Sequence, residues 1–400
     1  MKAAILNIGN EVLLGHTINT NLSLIAKKLL DYGILVGEQR TVEDDPKAII
    51  KAVHELLVEN DLIISSGGLG PTEDDLTSPS IAQALNRQLV LNNQVLEDIQ
   101  AYFARTKRTM SPNNKNQAYF PQGAKIYKND LGTASGFSLQ EGEKTILVLP
   151  GPPREVENIL DKFLKDFSPQ KQVLLKTINT FGLGESFLEN QLRLLKLGRE
   201  LLINTYFNFN GVDIKILADL KDQEAFQRAI EKIQGQFAEN IYDTDSSSIS
   251  LSLLKQAKAK NKKIAFAESC TGGKLSSAFV ENPSASDVLL GSLVTYTEEA
   301  KMKILGVKEE TLKAYTAVSE ETAREMLQGL KNIFDADLYA VTTGYASPTG
   351  DPKTNGLVYI GLYSKKDKKT QILENHYHGS RQQIIDRVTA NVYFNLMKLI

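Results

Sequence analysis

Short apolar runs alternate with stretches of helical period over the first 167 or so residues of the chain. Residues 3–8 are a strand-like run closed by Gly9. Residues 20–32 carry Leu22, Ile25, Ala26, Leu29 and Leu30 at the three-to-four spacing of one helix face, and Gly33 ends it. Residues 34–36 predict a strand. Asp45-Pro46 opens a helix whose apolar face is Ala48, Ile49, Ala52, Val53, Leu56 and Leu57. Leu62-Ile63-Ile64 is a run of the fully buried kind, residues 145–149 are another, and Pro152-Pro153-Arg154-Glu155 opens a further helix. The alternation predicts an α/β domain over 1–168, a mostly parallel sheet with helices on both faces.

The pattern breaks at Phe167-Ser168-Pro169-Gln170. Strands at 173–180 and 212–217 and helices at 185–195 and 223–237 predict a small α+β module over 169–245. Tyr242-Asp243-Thr244-Asp245-Ser246-Ser247-Ser248 reads as a polar linker. Alternation resumes over 246–400, with helices at 250–259, from Gly272, at 298–305, 320–334 and 381–399, and strands at 263–267, 293–296, 338–342 and 357–363.

Composition narrows the chemistry. The 400 residues carry 46 basic and 48 acidic side chains, a net charge of −2, which argues against a general nucleic-acid binder. The middle module has a KH-like order, but nine basic and eleven acidic residues between 170 and 245 and no GxxG clamp, so RNA binding is not expected of it. Cys270 is the one cysteine, which excludes an intramolecular disulfide and points to the cytoplasm. His16, His54, His376 and His378 form no HExxH-type pair, and His376 with His378 is too few ligands for a metal site. No uncharged apolar run reaches the ~18–20 residues that span a bilayer, and the opening MKAAILNIGNEVLLG meets Glu11 too early for a secretory signal.

Two turns carry candidate chemistry. In the first, the buried strand at 62–64 empties into Ser66-Gly67-Gly68-Leu69-Gly70-Pro71-Thr72-Glu73-Asp74-Asp75. Glycines at the carboxyl end of such a strand let backbone N–H groups approach a phosphate. It is neither a Walker A loop nor a dinucleotide fingerprint. Asp74 and Asp75 would repel a bare phosphate, so the pair suits a divalent cation between acid and phosphate oxygens. Glu11 and Asp44 also follow predicted strands and are expected at the same crevice. The bland alternative is a tight turn ahead of a helix that Thr77-Ser78-Pro79 caps without the acids.

In the second, the strand at 263–267 ends in Glu268-Ser269-Cys270-Thr271-Gly272-Gly273, which opens a helix. Free N–H groups at that helix start would bind an anion or stabilise an oxyanion. Ser269 and Cys270 are adjacent nucleophiles; bare chemistry favours the thiol, and the residues alone leave the choice open. Lys301, near the fourth position of a helix capped by Thr297, is a candidate base, with Tyr296 to relay its proton or orient it. The alternative is a solvated Lys301 paired with Glu298. Thr342-Thr343-Gly344 offers further hydroxyl and N–H groups at a strand end, and Arg381, which opens the last helix, is a natural phosphate fork.

These runs resemble the CinA (competence/damage-inducible protein) family over essentially all 400 positions. The matching motifs are Gly9-Asn10-Glu11-Val12-Leu13-Leu14-Gly15, Gly67 to Thr77, Asn129-Asp130-Leu131-Gly132-Thr133-Ala134-Ser135-Gly136, Gly182-Leu183-Gly184-Glu185-Ser186, Ala267 to Gly273, and Val294 to Lys301. The resemblance implies a three-layer αβα MoaB/MogA-like first domain with metal-dependent (Mg or Co) ADP-ribose pyrophosphatase activity, and a KH-like middle domain. It implies a C-terminal αβα amidohydrolase domain that converts nicotinamide mononucleotide to nicotinate mononucleotide and ammonia without a cofactor. It makes Ser269 the nucleophile with Lys301 and Tyr296 as the base system. Thr271, Gly272, Gly273, Thr343, Gly344 and Arg381 would contact substrate there. In the first domain Gly67, Gly68, Gly70, Thr72 and Thr133 would contact substrate, and Asp44, Asp74, Asp75 and Glu11 would hold the metal.

Small phosphorylated nucleotides as partners, no nucleic acid, no membrane and a homodimer complete the expectation. Three positions depart from the family pattern: Ser347 and Asp351 stand where glycine is usual, and Ser135 where proline is. The rival readings are a pterin- or nucleotide-binding protein with a degenerate last domain, and a molybdenum-cofactor transferase, which leaves the C-terminal half unexplained.

Overall fold

In a computed structural model of the chain, residues 1–167, 173–245, 247–347 and 350–400 are described. The expected break at Ser168–Gln170 and the pair Pro348-Thr349 lie outside them. Two units are resolved, Met1–Val173 and Leu174–Ile400.

The first unit runs β1 (Lys2–Ile8), α1 (Asn10–Leu13), α2 (Thr20–Asp31), β2 (Leu35–Val42), α3 (Pro46–Glu59), β3 (Leu62–Ser66), α4 (Thr77–Ala84), β4 (Leu89–Leu91), α5 (Asn93–Thr106), β5 (Tyr119–Pro121), β6 (Lys125–Tyr127), β7 (Gly136–Glu141), β8 (Lys144–Leu149) and α6 (Pro153–Phe167). Its main sheet has the order β2-β1-β3-β8-β7-β6. The first four strands are parallel, and β7 and β6 add antiparallel at the edge. Alternate residues of β1 point to opposite faces, as the strand pleat requires. Ala4 and Leu6 pack under α3 and α4, and Ala3 and Ile5 pack under α2 and α6. The result is a three-layer αβα sandwich. β2 is longer than the strand expected at 34–36, because its polar stretch from Glu38 to Arg40 lies on a sheet edge with alternating exposure.

The second unit opens with β9 (Val173–Thr180), α7 (Glu185–Leu194), β10 (Leu202–Asn208), β11 (Gly211–Asp219), α8 (Gln223–Gln236) and β12 (Ile241–Asp243), in the sheet order β10-β11-β9-β12. It continues with α9 (Ile249–Ala259), β13 (Ile264–Glu268), α10 (Lys274–Val280), β14 (Leu289–Val294), α11 (Glu298–Leu305), α12 (Glu309–Tyr315), α13 (Glu320–Ile333), β15 (Leu338–Gly344), β16 (Leu357–Ser364), β17 (Lys369–His376) and α14 (Arg381–Met397). The order of this second sheet is β14-β13-β15-β16-β17, its first three strands parallel and its last two antiparallel. Phe266 faces α9, α10 and α14, while Ala265 and Ala267 face α11 to α13. Helices thus cover both faces here as well. The parallel trio β14-β13-β15 brings three strand ends to one edge, the place where ligands bind in open α/β sheets.

The polar linker expected at 242–248 is instead partly a packed strand. Ile241–Asp243 pairs with β9, Tyr242 is buried in the core formed by α9, α14 and β13, and Asp243 accepts a hydrogen bond from Ser252 Oγ at 2.5 Å. Ser248 then caps α9. Polar residues flanking this three-residue strand, Glu239-Asn240 before it and Thr244-Asp245 after, hide its apolar pair from a composition-based reading. Tyr242→Ala should therefore destabilise the second unit by about 3 kcal/mol, the lower end for loss of a buried aromatic. Urea unfolding of the full chain checks this, and a free linker would show almost no change.

Candidate active site

Burial and a hydrogen-bond set define a site at the ends of β13, β14 and β15. Ser269 follows β13 directly, and its N–H donates to Thr342 O on β15 at 3.0 Å. Thr297 caps α11, its hydroxyl accepting from Ala300 N at 3.1 Å, which puts Lys301 on the fourth helical position. The Lys301 side chain is 1% exposed. Its Nζ lies 2.8 Å from Ser269 Oγ and donates to the carbonyls of Thr295 at 3.1 Å and Tyr296 at 3.4 Å. No ion pair holds Lys301 among the described residues, and burial lowers its pKa below the ordinary lysine value. The solvated lysine paired with Glu298 is thereby overturned.

The same geometry separates Ser269 from Cys270. Burial pushes the Cys270 thiol up to about 12, and the residue packs into the core under α9 and α14. Ser269 alone meets the amine. A cavity of about 360 Å³ opens over the pair and is lined by Ser269, Lys301, Tyr296, Thr343, Gly344 and Arg381, together with Ser347, the Ala317-Val318 loop and Cys270, which borders it while packing into the core. Six residues expected from sequence thus share one cavity.

Three roles differ from expectation. The Tyr296 phenol does not reach the amine; it accepts from Arg381 Nη2 at 2.9 Å, and only the Tyr296 backbone carbonyl touches Lys301. The Thr343 hydroxyl is committed to Ala317 O at 2.5 Å and pins that loop against the strand. The helix start at Gly272-Gly273 presents no free anion cradle. Gly273 adopts φ +97°, a left-handed conformation suited to glycine, and its N–H donates to the Glu268 carboxylate at 3.0 Å. The N–H groups of Leu275 and Ser276 and the Thr271 hydroxyl do the same. The oxyanion role read for this helix start is therefore corrected: a side chain of the protein fills it. Sequence reasoning quoted Glu268 without a role; an acid ending an otherwise apolar strand was the available signal. It also missed the Ala317-Val318 loop, which no motif marks.

The departures from the family pattern are accommodated. Neither Ser347 nor Asp351 has a positive φ, so neither position demands glycine. Ser347 Oγ accepts from Arg381 Nη1 at 3.0 Å. Asp351 lies outside the cavity lining, and its carboxylate accepts from Lys353 N at 2.9 Å.

The residues read together in the first unit are dispersed. Gly68, Gly70, Thr72 and Asp75 line a cavity of about 250 Å³. Thr133 lines a second cavity of about 240 Å³, and Ser135 borders both. Gly67 and Glu11 line a third, of about 80 Å³. A Cβ on Gly67 would sit 2.1 Å from Ile8 O, so only glycine lets β1 and this turn approach so closely. Asp75 folds back on its own loop, accepting from Gly70 N at 2.7 Å, Thr72 N at 2.8 Å and Thr72 Oγ1 at 2.6 Å. Asp44 accepts from Asn10 N at 2.8 Å, and Asp74 is exposed. Thr77 is no helix cap: it is buried inside α4 and donates to Gly67 O at 2.8 Å.

Among the described residues no three Asp, Glu, His or Cys side chains gather to hold a metal. The quartet Glu11, Asp44, Asp74 and Asp75 thus does not fit one ion as these side chains lie. His376 contacts Glu374 at 3.5 Å at the end of β17. No helix among the described residues is long and apolar enough to cross a membrane.

Fold and site together define a three-part α/β protein: a molybdopterin-binding-like domain, a KH-like module and a domain with a serine–lysine cavity. Family profiles match each part: "Probable molybdopterin binding domain" over residues 4–170, "Damage-inducible protein CinA KH domain" over 175–242 and "CinA C-terminal domain" over 246–400. A competence-damage inducible protein of Clostridioides difficile is 38% identical, covering 98% of this chain and 97% of that one. One from Alkaliphilus metalliredigens is 39% identical over 96% of this chain and 95% of its own. A crystal structure of the protein CinA with unknown function from Thermoplasma acidophilum is 34% identical, covers 41% of this chain and 96% of that chain, and has a TM-score of 0.39. The chain belongs to the CinA family.

Asp75→Ala removes three hydrogen bonds that close the 67–77 turn. It should lower the stability of the first unit by about 1–3 kcal/mol, with or without a chelator. Thermal unfolding in both conditions checks this, and a loss seen only with metal present would restore Asp75 as an ion ligand.

Proposed function

We propose that the C-terminal domain is a serine amidohydrolase that converts nicotinamide mononucleotide to nicotinate mononucleotide and ammonia. The observation that carries this reading is the 2.8 Å contact between Ser269 Oγ and the buried Lys301 amine at the floor of a 360 Å³ cavity. The CinA C-terminal match over the same residues supports it. A neutral amine accepts the serine proton as Oγ attacks the carboxamide carbon. The C–N bond then breaks, and Lys301 returns that proton to the departing ammonia. Water, deprotonated by the same amine, hydrolyses the acyl ester and restores Ser269. The Cys270 amide, next in sequence to the nucleophile and donating to no carbonyl among the described residues, would serve as the oxyanion donor. Arg381, held by Tyr296 and Ser347, presents its guanidinium to the substrate phosphate at the cavity wall.

The rival, a binding protein with a degenerate last domain, drew its support from the loop at 344–351. Neither Ser347 nor Asp351 has a positive φ and Ser347 holds Arg381, which favours the amidase reading over that rival. For the first unit the proposal is narrower: a small phosphorylated nucleotide in the cavity lined by Gly68, Leu69 and Ser135, its phosphate away from the Gly70 and Thr72 N–H groups that Asp75 already takes. No metal step is derived for the ADP-ribose pyrophosphatase activity that the family resemblance implies, since the four acids do not converge.

Ammonia release by the purified full chain tests the reading. Ser269→Ala should reduce it to background, and Lys301→Met should reduce kcat by on the order of 10²–10⁴, the range of a lost general base. Since the amine works neutral, kcat/KM should rise with pH and level off below 10.5, the ordinary lysine value. Retained turnover in either variant, or a profile still climbing at that value, rejects the dyad.

Arg381→Ala should raise KM for the mononucleotide roughly ten- to hundredfold, as losing a charge-assisted hydrogen bond does, and leave the phosphate-free nucleoside unaffected. Equal effects on both substrates would remove Arg381 from the phosphate.

A further inference from the structure

Glu268 is the last residue of β13 and is fully buried. Its Oε2 accepts from Thr271 Oγ1 at 2.9 Å, Gly273 N at 3.0 Å and Leu275 N at 2.9 Å. Its Oε1 accepts from Ser276 N at 3.0 Å, Ser276 Oγ at 2.9 Å and Ser292 Oγ at 2.9 Å. Six donors and no cation surround it among the described residues. Its backbone is as constrained: Glu268 O accepts from Thr295 N at 2.8 Å, and the next residue is Ser269. Thr295 in turn supplies a carbonyl to Lys301 Nζ. One residue therefore ties together the turn behind the nucleophile, the neighbouring strand β14, and the segment that holds the base.

We propose that Glu268 is a positioning residue for the amidase reaction, its buried carboxylate locking the 269–276 turn so that Ser269 Oγ stays against the Lys301 amine. The inference rests on the amidase reading for its kinetic consequence, but the locked turn is a claim of its own. A carboxylate suits the place because every partner donates. A glutamine has the same shape and fails there: either orientation of its amide turns an NH₂ toward a backbone N–H, of Ser276 on one side or of Gly273 and Leu275 on the other. The turn must then shift, and Ser269 with it.

The experiment uses the full chain carrying Glu268→Gln. Two quantities are measured: kcat and KM for ammonia release from nicotinamide mononucleotide, and the native-state alkylation rate of Cys270 by iodoacetamide. Cys270 is the sole cysteine, lies in the same turn and is 5% exposed, so it reports the turn without reference to activity. The expected result is a fall in kcat on the order of 100-fold, the cost of a small misplacement of reacting groups. KM should stay within about threefold, because the substrate contacts are elsewhere. Alkylation should be faster at temperatures well below the unfolding midpoint.

Wild-type kcat and wild-type thiol protection in the variant overturn the proposal. So does a loss of rate that only tracks global unfolding, which marks a merely structural carboxylate. If the wild-type chain releases no ammonia, the amidase reading fails by itself, and thiol protection alone then decides whether Glu268 locks the turn. If Glu268→Gln does not fold, Ser292→Ala removes one Oε1 donor from outside the turn. It should lower kcat about fivefold, the worth of one net hydrogen bond, and an unchanged kcat there also overturns the proposal.

Discussion

A lysine amine buried without a carboxylate has few ways to be stable, and the environment of Lys301 meets that constraint in one of them. Its partners are two backbone carbonyls and one hydroxyl. A neutral amine has two N–H groups and one lone pair. Thr295 O and Tyr296 O accept the two N–H groups, and the lone pair is left for the Ser269 proton. An ammonium would need a buried counter-charge, which is costly to leave out, and Glu298 forms no ion pair with it among the described residues. Desolvation lowers the lysine pKa, which favours the neutral amine as a proton acceptor.

The rest of the C-terminal domain keeps that amine dry and aimed. The parallel trio β14-β13-β15 delivers Thr295, Ser269 and Thr343 to one edge. The Thr297 cap starts α11 at the register that turns its fourth residue inward. Thr343 spends its hydroxyl on Ala317 O and so holds the loop that walls the cavity. Arg381 arrives from the first turn of α14, whose capping box is closed by Ser380 and Gln383, and Tyr296 and Ser347 fix its planar head. Amine, hydroxyl and guanidinium come from three separate segments, each fixed by a local hydrogen bond.

Much of this was legible in the residues, and the physical reasons for the rest are specific. Apolar periodicity marked the buried strands β1, β3, β8, β13 and β15 and most long helices, because their burial is what the periodicity records. It missed α5, β4 to β7, β10, β12 and β17: most of these strands leave residues partly or fully exposed, and polar residues interrupt the run, as Ser138 does in the otherwise buried β7. Ser269, Lys301 and Arg381 were named from their positions at element ends. Tyr296 was named for a phenol on the amine, yet its carbonyl touches the amine while its phenol holds Arg381, and backbone contacts leave no mark on residue type. The four acids of the first unit were grouped because each follows a strand. Chain position does not say which of them a neighbouring N–H has already claimed, as Asn10 claims Asp44.

Both glycine turns carry the same lesson about such claims. A glycine-rich turn at a strand end exposes several N–H groups, and exposed N–H groups must be satisfied by something. The usual inference supplies an external anion. Here the protein supplies its own: Asp75 takes the N–H groups of Gly70 and Thr72, and Glu268 takes those of Gly273, Leu275 and Ser276. The acids that seemed out of place beside a phosphate-binding loop are what the loop is closed on. In the C-terminal domain this leaves the Arg381 guanidinium at the cavity wall, and not the helix start, as a group open to an anion. A carboxylate inside the turn also repels any anion that would displace it, so the turn is available for one task only, holding Ser269 still.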